Sequence, residues 1–198
     1  MKSIFPILLA CLAFIACNNE PGNKQENKEP AVARDSTAEP DFFFPVTDFL
    51  KGQVTEIRTK GINPKKIVVA GNKTDSSWVK MEDIDQEINV FLTPEIDRSN
   101  LTHLFTEKKF LDQTINTFTF TYDPIKALPD TFSLKRWDVY IDPETNKVKR
   151  IYLVKKLPGG KTQQLTWLAG KSCRMVTLTE KPDGTPIIEK EETLNWDF

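Results

Sequence analysis

The amino-acid sequence predicts an α+β domain in which two to three amino-terminal helices pack on a curved, mostly antiparallel meander sheet of about six strands. Apolar residues recur at three- and four-residue steps up to about residue 92, and they alternate from about residue 114 onward. Short runs of turn-forming residues separate the alternating segments. Helices followed by a run of neighbouring strands are typical of the α+β class.

Two amphipathic segments predict the first helices. The segment Val46–Lys60 has its apolar residues on one side and is followed by Gly61, which favours a helix end. The segment Met81–Leu92 has the same spacing, and its acidic residues cluster near its amino end, where the helix dipole favours them. Two shorter elements are predicted beside these, a strand at Ile67–Ala70 and a third helix at Ser99–Phe105.

Alternation in the second half predicts six successive strands. In the first of them, Phe118, Phe120 and Tyr122 share one face of the sheet. Because short connections join antiparallel neighbours, the six strands are predicted to form a meander. Their predicted bounds are 114–122, 132–141, 148–156, 163–169, 173–180 and 187–197.

The amino terminus has the three-part pattern of a secretory signal. A positive charge at Lys2 precedes thirteen uncharged residues, Ile4–Ala16, and a small residue stands directly before Cys17. The apolar run is too short to cross a bilayer, which takes about 20 residues. Phe14-Ile15-Ala16-Cys17 resembles the lipobox of bacterial lipoproteins. The resemblance implies a signal peptide at residues 1–16 and acylation of Cys17, which becomes the mature amino terminus.

Three alternatives to acylation at Cys17 are open. Leu8-Leu9-Ala10-Cys11 also resembles a lipobox, but cleavage there would leave an apolar core of about seven residues, the lower limit for a signal peptide. The segment could also be an ordinary cleaved signal peptide that carries no lipid, or an uncleaved segment of the core. We prefer Cys17 to Cys11, because cleavage before Cys11 would also leave the apolar residues Leu12–Ala16 on the mature protein.

A polar stretch separates Cys17 from the folded part. Residues 18–41 contain no aromatic residue, so they cannot bury enough surface to offset their ordering entropy, and residues 17–41 are predicted to be a disordered linker. Its 24 residues after Cys17 would span on the order of 27 Å as a flexible coil. Asn18 is not the aspartate of an inner-membrane retention signal, so the lipoprotein resemblance implies the outer membrane, on the periplasmic or the surface side.

Residues 42–198 are predicted to be a single domain without disulfides. Cys173 is the one cysteine that remains in this part, and a disulfide framework would need an even set. The 27 Lys and Arg nearly balance the 28 Asp and Glu, which makes nucleic acid a poor partner. The aromatic run Phe42-Phe43-Phe44 is expected to dock the linker onto the core.

No catalytic, metal or nucleotide motif stands out in this domain, and no cofactor is predicted. His103 has no second histidine with which to form a metal site. Asp83 and Glu87 lie four residues apart on one helix face and could act together, but a solvated helix face explains both carboxylates. A reactive Cys173 would need a nearby base. The chain is therefore predicted not to be an enzyme, and a carboxylate-dependent hydrolase is the least favoured hypothesis.

The favoured hypothesis is a binding or accessory module that contacts another envelope protein or an apolar ligand. The order of the predicted elements is similar to the half-barrel of lipoprotein carriers and of their outer-membrane receptors, and this resemblance implies the alternative of a protein that holds acyl chains. The candidate contact residues are aromatic, although packing in the core is the simpler interpretation for each of them. They are Phe120, Trp137, Trp167 and Trp196.

Overall fold

The computed structural model describes residues 43–197, and these form one antiparallel sheet with two α-helices. The predicted signal peptide, Cys17 and linker lie outside the described residues. In chain order the elements are α1 Val46–Thr59, β1 Lys65–Ala70, β2 Lys73–Trp78, α2 Ile84–Leu92, β3 Phe105–Asp112, β4 Thr117–Pro124, β5 Leu134–Ile141, β6 Val148–Lys156, β7 Thr162–Leu168, β8 Ser172–Glu180 and β9 Pro186–Asn195.

The predicted fold class is wrong, because the described residues are mostly β-sheet. The sheet has nine strands in the order β2-β1-β9-β8-β7-β6-β5-β4-β3, where about six were predicted. The predicted meander corresponds to β4 through β9. The predicted strand at Ile67–Ala70 is part of β1, which pairs with β9 at the far end of the chain. Ser99–Phe105 forms no helix and instead leads by turns into β3.

The two strands that were not predicted lie at the two edges of the sheet. Strand β2 is exposed along its whole length and carries mainly polar residues, so no apolar alternation marks it. It returns on β1 through the two-residue turn Gly71-Asn72, and Ala70 pairs with Lys73. Gly71 has a φ of 57°, a left-handed conformation that favours glycine in such a hairpin. Strand β3 forms the other edge and pairs only with β4 among the described strands.

The helices α1 and α2 coincide with the two longer helices that the sequence predicts, and each buries one side. The buried residues of α1 include Leu50, Val54 and Ile57, and those of α2 are Ile84, Ile88 and Phe91. Burial of such a stripe, rather than helix propensity, supplies most of the stability of short helices. Neither described helix is long and apolar enough to span a membrane.

The register of the ladders divides the sheet into an inner face, which the helices cover, and an outer face. Residues directly opposite one another in antiparallel strands share a face. One row of the inner face crosses the sheet from β4 to β8 as Tyr122, Trp137, Leu153, Leu165 and Met175, all buried. The outer face is more polar, and there the Thr121 hydroxyl donates a 2.6 Å hydrogen bond to the buried Asp138 carboxylate.

One charged side chain lies in the core between the sheet and the carboxyl end of α2. Lys155 of β6 is 3% exposed, and its ammonium group donates hydrogen bonds to the carbonyl oxygens of Val90 and Thr93. The last carbonyls of a helix have no partner within the helix, and the helix dipole favours a cation there. Lys155, which lies on the sheet, therefore caps the carboxyl end of α2.

Candidate functional site

The three candidate tryptophans lie in the core. Trp137 and Trp167 are fully buried and Trp196 is 5% exposed. The Trp167 ring lies 5.1 Å from that of Trp196 and 5.4 Å, edge-on, from that of Phe91 on α2. Trp137 belongs to a separate aromatic cluster at the β4 side of the sheet. The structure thus places these three rings in packing contacts between sheet and helices. Trp196 also borders a crevice of about 10 Å³ beside α1, which is about the space of one water molecule.

The cluster around Trp137 holds the segment at which the described chain begins. Tyr122 stacks on Trp137 with ring centroids 4.6 Å apart and an angle of 11° between their planes. Phe43 is buried and lies 4.9 Å from the Tyr122 ring. The backbone N–H of Phe44 donates a 3.1 Å hydrogen bond to the Tyr122 hydroxyl. Phe43 and Phe44 dock on the core as expected, whereas Phe42 lies outside the described residues.

Phe120 is the one candidate residue at an opening large enough to hold a ligand group. It is half-buried on the inner face of β4, beyond the amino end of α1, and it lines a groove of about 280 Å³. The groove is bounded by the chain entry before α1, by strands β3 to β5 and by the loop after α2. Its lining residues are Phe43, Phe44, Pro45, Arg98, Glu107, Lys109, Phe120, Tyr122 and Ile141.

The polar groups of the groove form a short chain of contacts. Burial raises the pKa of the Tyr122 phenol, and its hydrogen bond to the Glu107 side chain raises it further. Lys109 lies 2.8 Å from Glu107 and extends over the Phe120 ring at 5.5 Å. The floor of the groove is therefore aromatic and aliphatic, while its rim carries both signs of charge. Apolar surface with a few placed polar groups is typical of a binding site.

A second and larger opening lies at the opposite end of the strands. It has a volume of about 660 Å³ and lies between the loop before β5 and the turn from β6 to β7. Its lining contains no aromatic residue and only one large apolar side chain, Leu157. Most of its lining residues are polar, charged or glycine, so it lacks the aromatic side chains that usually concentrate the binding energy of an interface. We therefore take the groove at Phe120 as the candidate site.

The groups that the sequence offered for catalysis lie apart from this groove. The Cys173 side chain is buried, and burial raises the pKa of its thiol, which keeps the thiol protonated and inert. Glu87 pairs with Lys66 at 2.6 Å, and Lys66 lies 3.3 Å from Glu192 on β9. His103 is exposed. Among residues 43–197, no group of three or more His, Cys, Asp and Glu side chains is arranged to bind a metal ion.

The sequence did not reveal the polar wall of the groove. Glu107 and Lys109 lie on β3, which was not predicted, and Arg98 lies in a segment next to the wrongly predicted third helix. Alternation along β3 was the available signal, because Phe105, Glu107 and Lys109 share the inner face with Tyr122 and Phe120. Charged residues at two of these three positions hide that signal.

The chain was compared with protein-family models, with curated proteins and with solved structures. No family model, no curated protein and no solved structure matches it. The groove and the amino-terminal sequence are therefore the features that bear on function.

Proposed function

We propose that this chain is an outer-membrane lipoprotein, acylated at Cys17, whose folded domain is an accessory module. In this proposal the groove at Phe120 binds an apolar segment of another envelope protein. The anchor rests on the amino-terminal sequence, which the described residues do not include. The binding role rests on the groove and on its surroundings.

The observation that carries the binding role is the contrast between the filled part of the inner face, beneath the helices, and the open aromatic groove at its β3–β4 side. The tryptophans of the inner face are buried between sheet and helices, so that space is occupied by side chains. The groove of about 280 Å³ is open to solvent and slightly smaller than the roughly 300–1,000 Å³ of sites that enclose a small molecule. A groove of this size suits one or two side chains of a partner better than a whole acyl chain.

The chemistry of the groove also fits a peptide. Phe120 and Ile141 offer apolar surface, and aromatic residues in pockets are the usual energetic centres of protein interfaces. Glu107 and Lys109 at the rim offer one acceptor and one donor side chain, which suits backbone N–H and C=O groups. The polar rim and apolar centre match the general layout of protein interfaces.

The test is photo-crosslinking in the native host cells. The photoreactive amino acid benzoylphenylalanine replaces Phe120, where the open groove accommodates the larger ring, and, as a matched control, Trp78. Trp78 is aromatic, 62% exposed and at the end of edge strand β2. We expect a protein adduct of one defined mass at Phe120 that is missing at Trp78.

Three outcomes would contradict the accessory role. An adduct to lipid alone at Phe120 would favour the alternative of a lipid or lipoprotein carrier. The same adducts at both positions would mean that the groove has no specificity. The lack of any adduct at Phe120, in a protein whose far-ultraviolet circular dichroism is unchanged, would mean that the groove binds no partner.

A further inference from the structure

Exposed apolar side chains are concentrated at one hairpin. Among the described residues, large apolar side chains are exposed at ten positions, and four of them lie between residues 110 and 118. Phe110 is 50% exposed, Leu111 44%, Ile115 47% and Phe118 41%. These residues form the tip of the hairpin of β3 and β4, which we call the hairpin tip. Single exposed apolar residues are ordinary, whereas a cluster of this size marks an interaction surface.

The hairpin tip is apolar on both faces of the sheet. Leu111 pairs directly with Phe118, so both lie on the inner face, while Phe110 pairs with Thr119 on the outer face. Ile115 in the turn lies on the outer side, where it lines a shallow pocket with Leu168 of β7. A partner protein that packs against the sheet covers only one of the two faces of a strand pair. A tip that is apolar on both faces instead fits a medium that surrounds it, such as the boundary between lipid headgroups and acyl chains.

Local contacts satisfy much of the turn's backbone. The Asp112 carboxylate accepts hydrogen bonds from the backbone N–H groups of Thr114 and Ile115, at 2.9 and 3.4 Å. The Thr117 hydroxyl donates to the carbonyl oxygen of Ile115 at 3.0 Å. Backbone groups without a partner oppose entry into an apolar medium. These contacts lower that cost for the hairpin tip.

Lysines flank the tip on both faces. Lys108 is on the outer face and Lys109 on the inner face, and each side chain is 64% exposed. They precede Phe110 and Leu111 by two residues, about 7 Å along a strand. From that distance Lys108 reaches the phosphate groups of the headgroup layer, whereas Lys109 is held at the groove by Glu107 and the Phe120 ring. Both also contact carboxylates of the hairpin, Asp123 at 2.9 Å and Glu107 at 2.8 Å.

The described chain begins beside this hairpin. Phe44 and Pro45 line the same groove as Phe120 and Lys109 of the hairpin. The predicted linker that precedes them would span on the order of 27 Å as a coil. An eight-residue strand such as β3 is also about 27 Å long. A lipid at Cys17 and the hairpin tip can therefore reach the same bilayer.

We infer that the hairpin tip inserts into the headgroup boundary of the membrane that holds the lipid anchor. The insertion is a second membrane contact, and it fixes the orientation of the domain, with the β3–β4 end toward the lipid and the β8–β9 turn away from it. This inference rests on the proposed acylation of Cys17. That acylation is measured separately, by the mass of the purified protein.

The test uses the mature lipidated protein in protein-free vesicles of phosphatidylethanolamine and phosphatidylglycerol. Ile115→Cys carries an environment-sensitive nitrobenzoxadiazole label, and the matched control is Asp183→Cys in the exposed β8–β9 turn. Cys173 is 1% exposed and does not compete for the label. We expect lipids with a nitroxide near the headgroup end of the acyl chain to quench the label at residue 115 at least about threefold more than at 183.

A pair of substitutions then tests the apolar side chains themselves. Phe110→Ser with Phe118→Ser is expected to lower the ratio of inserted to free hairpin at least about tenfold, since the variant lacks the two apolar side chains whose transfer out of water favours insertion. The control Ile187→Ser with Ile188→Ser removes two exposed apolar side chains of β9 and is expected to leave the quenching unchanged.

Two results would overturn the inference in a sample whose mass includes the acyl chains. One is equal or absent quenching at residues 115 and 183. The other is protection of residue 115 from labelling in whole envelopes without quenching in the protein-free vesicles, which would assign the hairpin tip to a protein partner. A sample without acyl chains would refute the anchor instead.

Discussion

The buried Lys155 gives the fold a predictable dependence on pH. Burial lowers the pKa of its ammonium group from 10.5 to about 8. Below pH 8 the group is charged in the folded and in the unfolded chain. Between pH 8 and 10.5 the unfolded chain binds the proton and the folded chain does not. The free energy of unfolding therefore rises with pH across this window.

The size of this effect follows from the pKa difference. At 1.36 kcal/mol for each pH unit, a shift from 10.5 to about 8 contributes at most about 3 kcal/mol across the whole window. The carbonyl oxygens of Val90 and Thr93 act in the opposite direction, because they accept hydrogen bonds from the charged ammonium. A rise of about 1–3 kcal/mol by pH 10 is expected.

The assay is urea unfolding followed by tryptophan fluorescence at pH 7, 8, 9 and 10, for the wild type and for Lys155→Met. Methionine keeps the length of the side chain but does not titrate. The stability of the wild type relative to this variant should rise between pH 8 and 10. Lys156→Met, at the exposed neighbouring residue, controls for the loss of a lysine. A flat or falling difference would refute the argument that burial dominates the environment of Lys155.

Further substitutions test the chain entry and the turns by chemical denaturation. Phe43→Ala should destabilise the fold by about 3–5 kcal/mol, because the ring is buried against the Trp137 cluster, and a loss under 1 kcal/mol would refute that docking. Tyr122→Phe should cost about 1–3 kcal/mol, because the Phe44 N–H loses its acceptor and the Glu107 carboxylate loses a hydrogen bond that Lys109 does not replace; an unchanged midpoint would contradict these bonds. Gly170→Ala should destabilise the fold by about 1–2 kcal/mol, because Gly170 has a φ of 72°. Gly52→Ala, within helix α1, should stabilise it by about 0.5–1 kcal/mol. Equal effects of the two substitutions would contradict the left-handed conformation of Gly170.

Periodicity predicted the elements that bury a continuous apolar stripe and missed those that do not. The α1 and α2 stripes and the alternation of β4 through β9 are visible in the sequence because one side of each element faces the core. Strand β2 has no such side, since all its residues are exposed. The Gly71-Asn72 turn was its only local signal, and a two-residue turn of this kind does predict a hairpin.

The error in fold class comes from pairings that are distant in the sequence. The predicted meander needs only contacts between successive strands. The pairing of β1 with β9 joins the first strand to the last and adds the β1–β2 hairpin to the sheet. Charged side chains at residues 107–109 hide β3, although charges on edge strands are common because they oppose edge-to-edge aggregation.

The candidate site was predictable only in part. Phe120 and Trp137 lie on one face of the sheet, and alternation marks both in the same way. They differ because the aromatic residues at the chain entry cover Trp137, whereas Phe120 lies beyond the amino end of α1. That difference is tertiary, and sequence spacing does not contain it. The groove also needs the register of β3, which places Lys109 opposite Phe120.

The most direct test of a lipid-anchored module is the mass of its mature amino terminus. The protein is extracted from outer membranes of the native host with detergent, digested, and its amino-terminal peptide is analysed by tandem mass spectrometry. The expected peptide begins at Cys17 and carries acyl chains on that residue. A mature chain that begins at another residue, or an unmodified Cys17, would contradict the anchor and the membrane contact of the hairpin tip that depends on it.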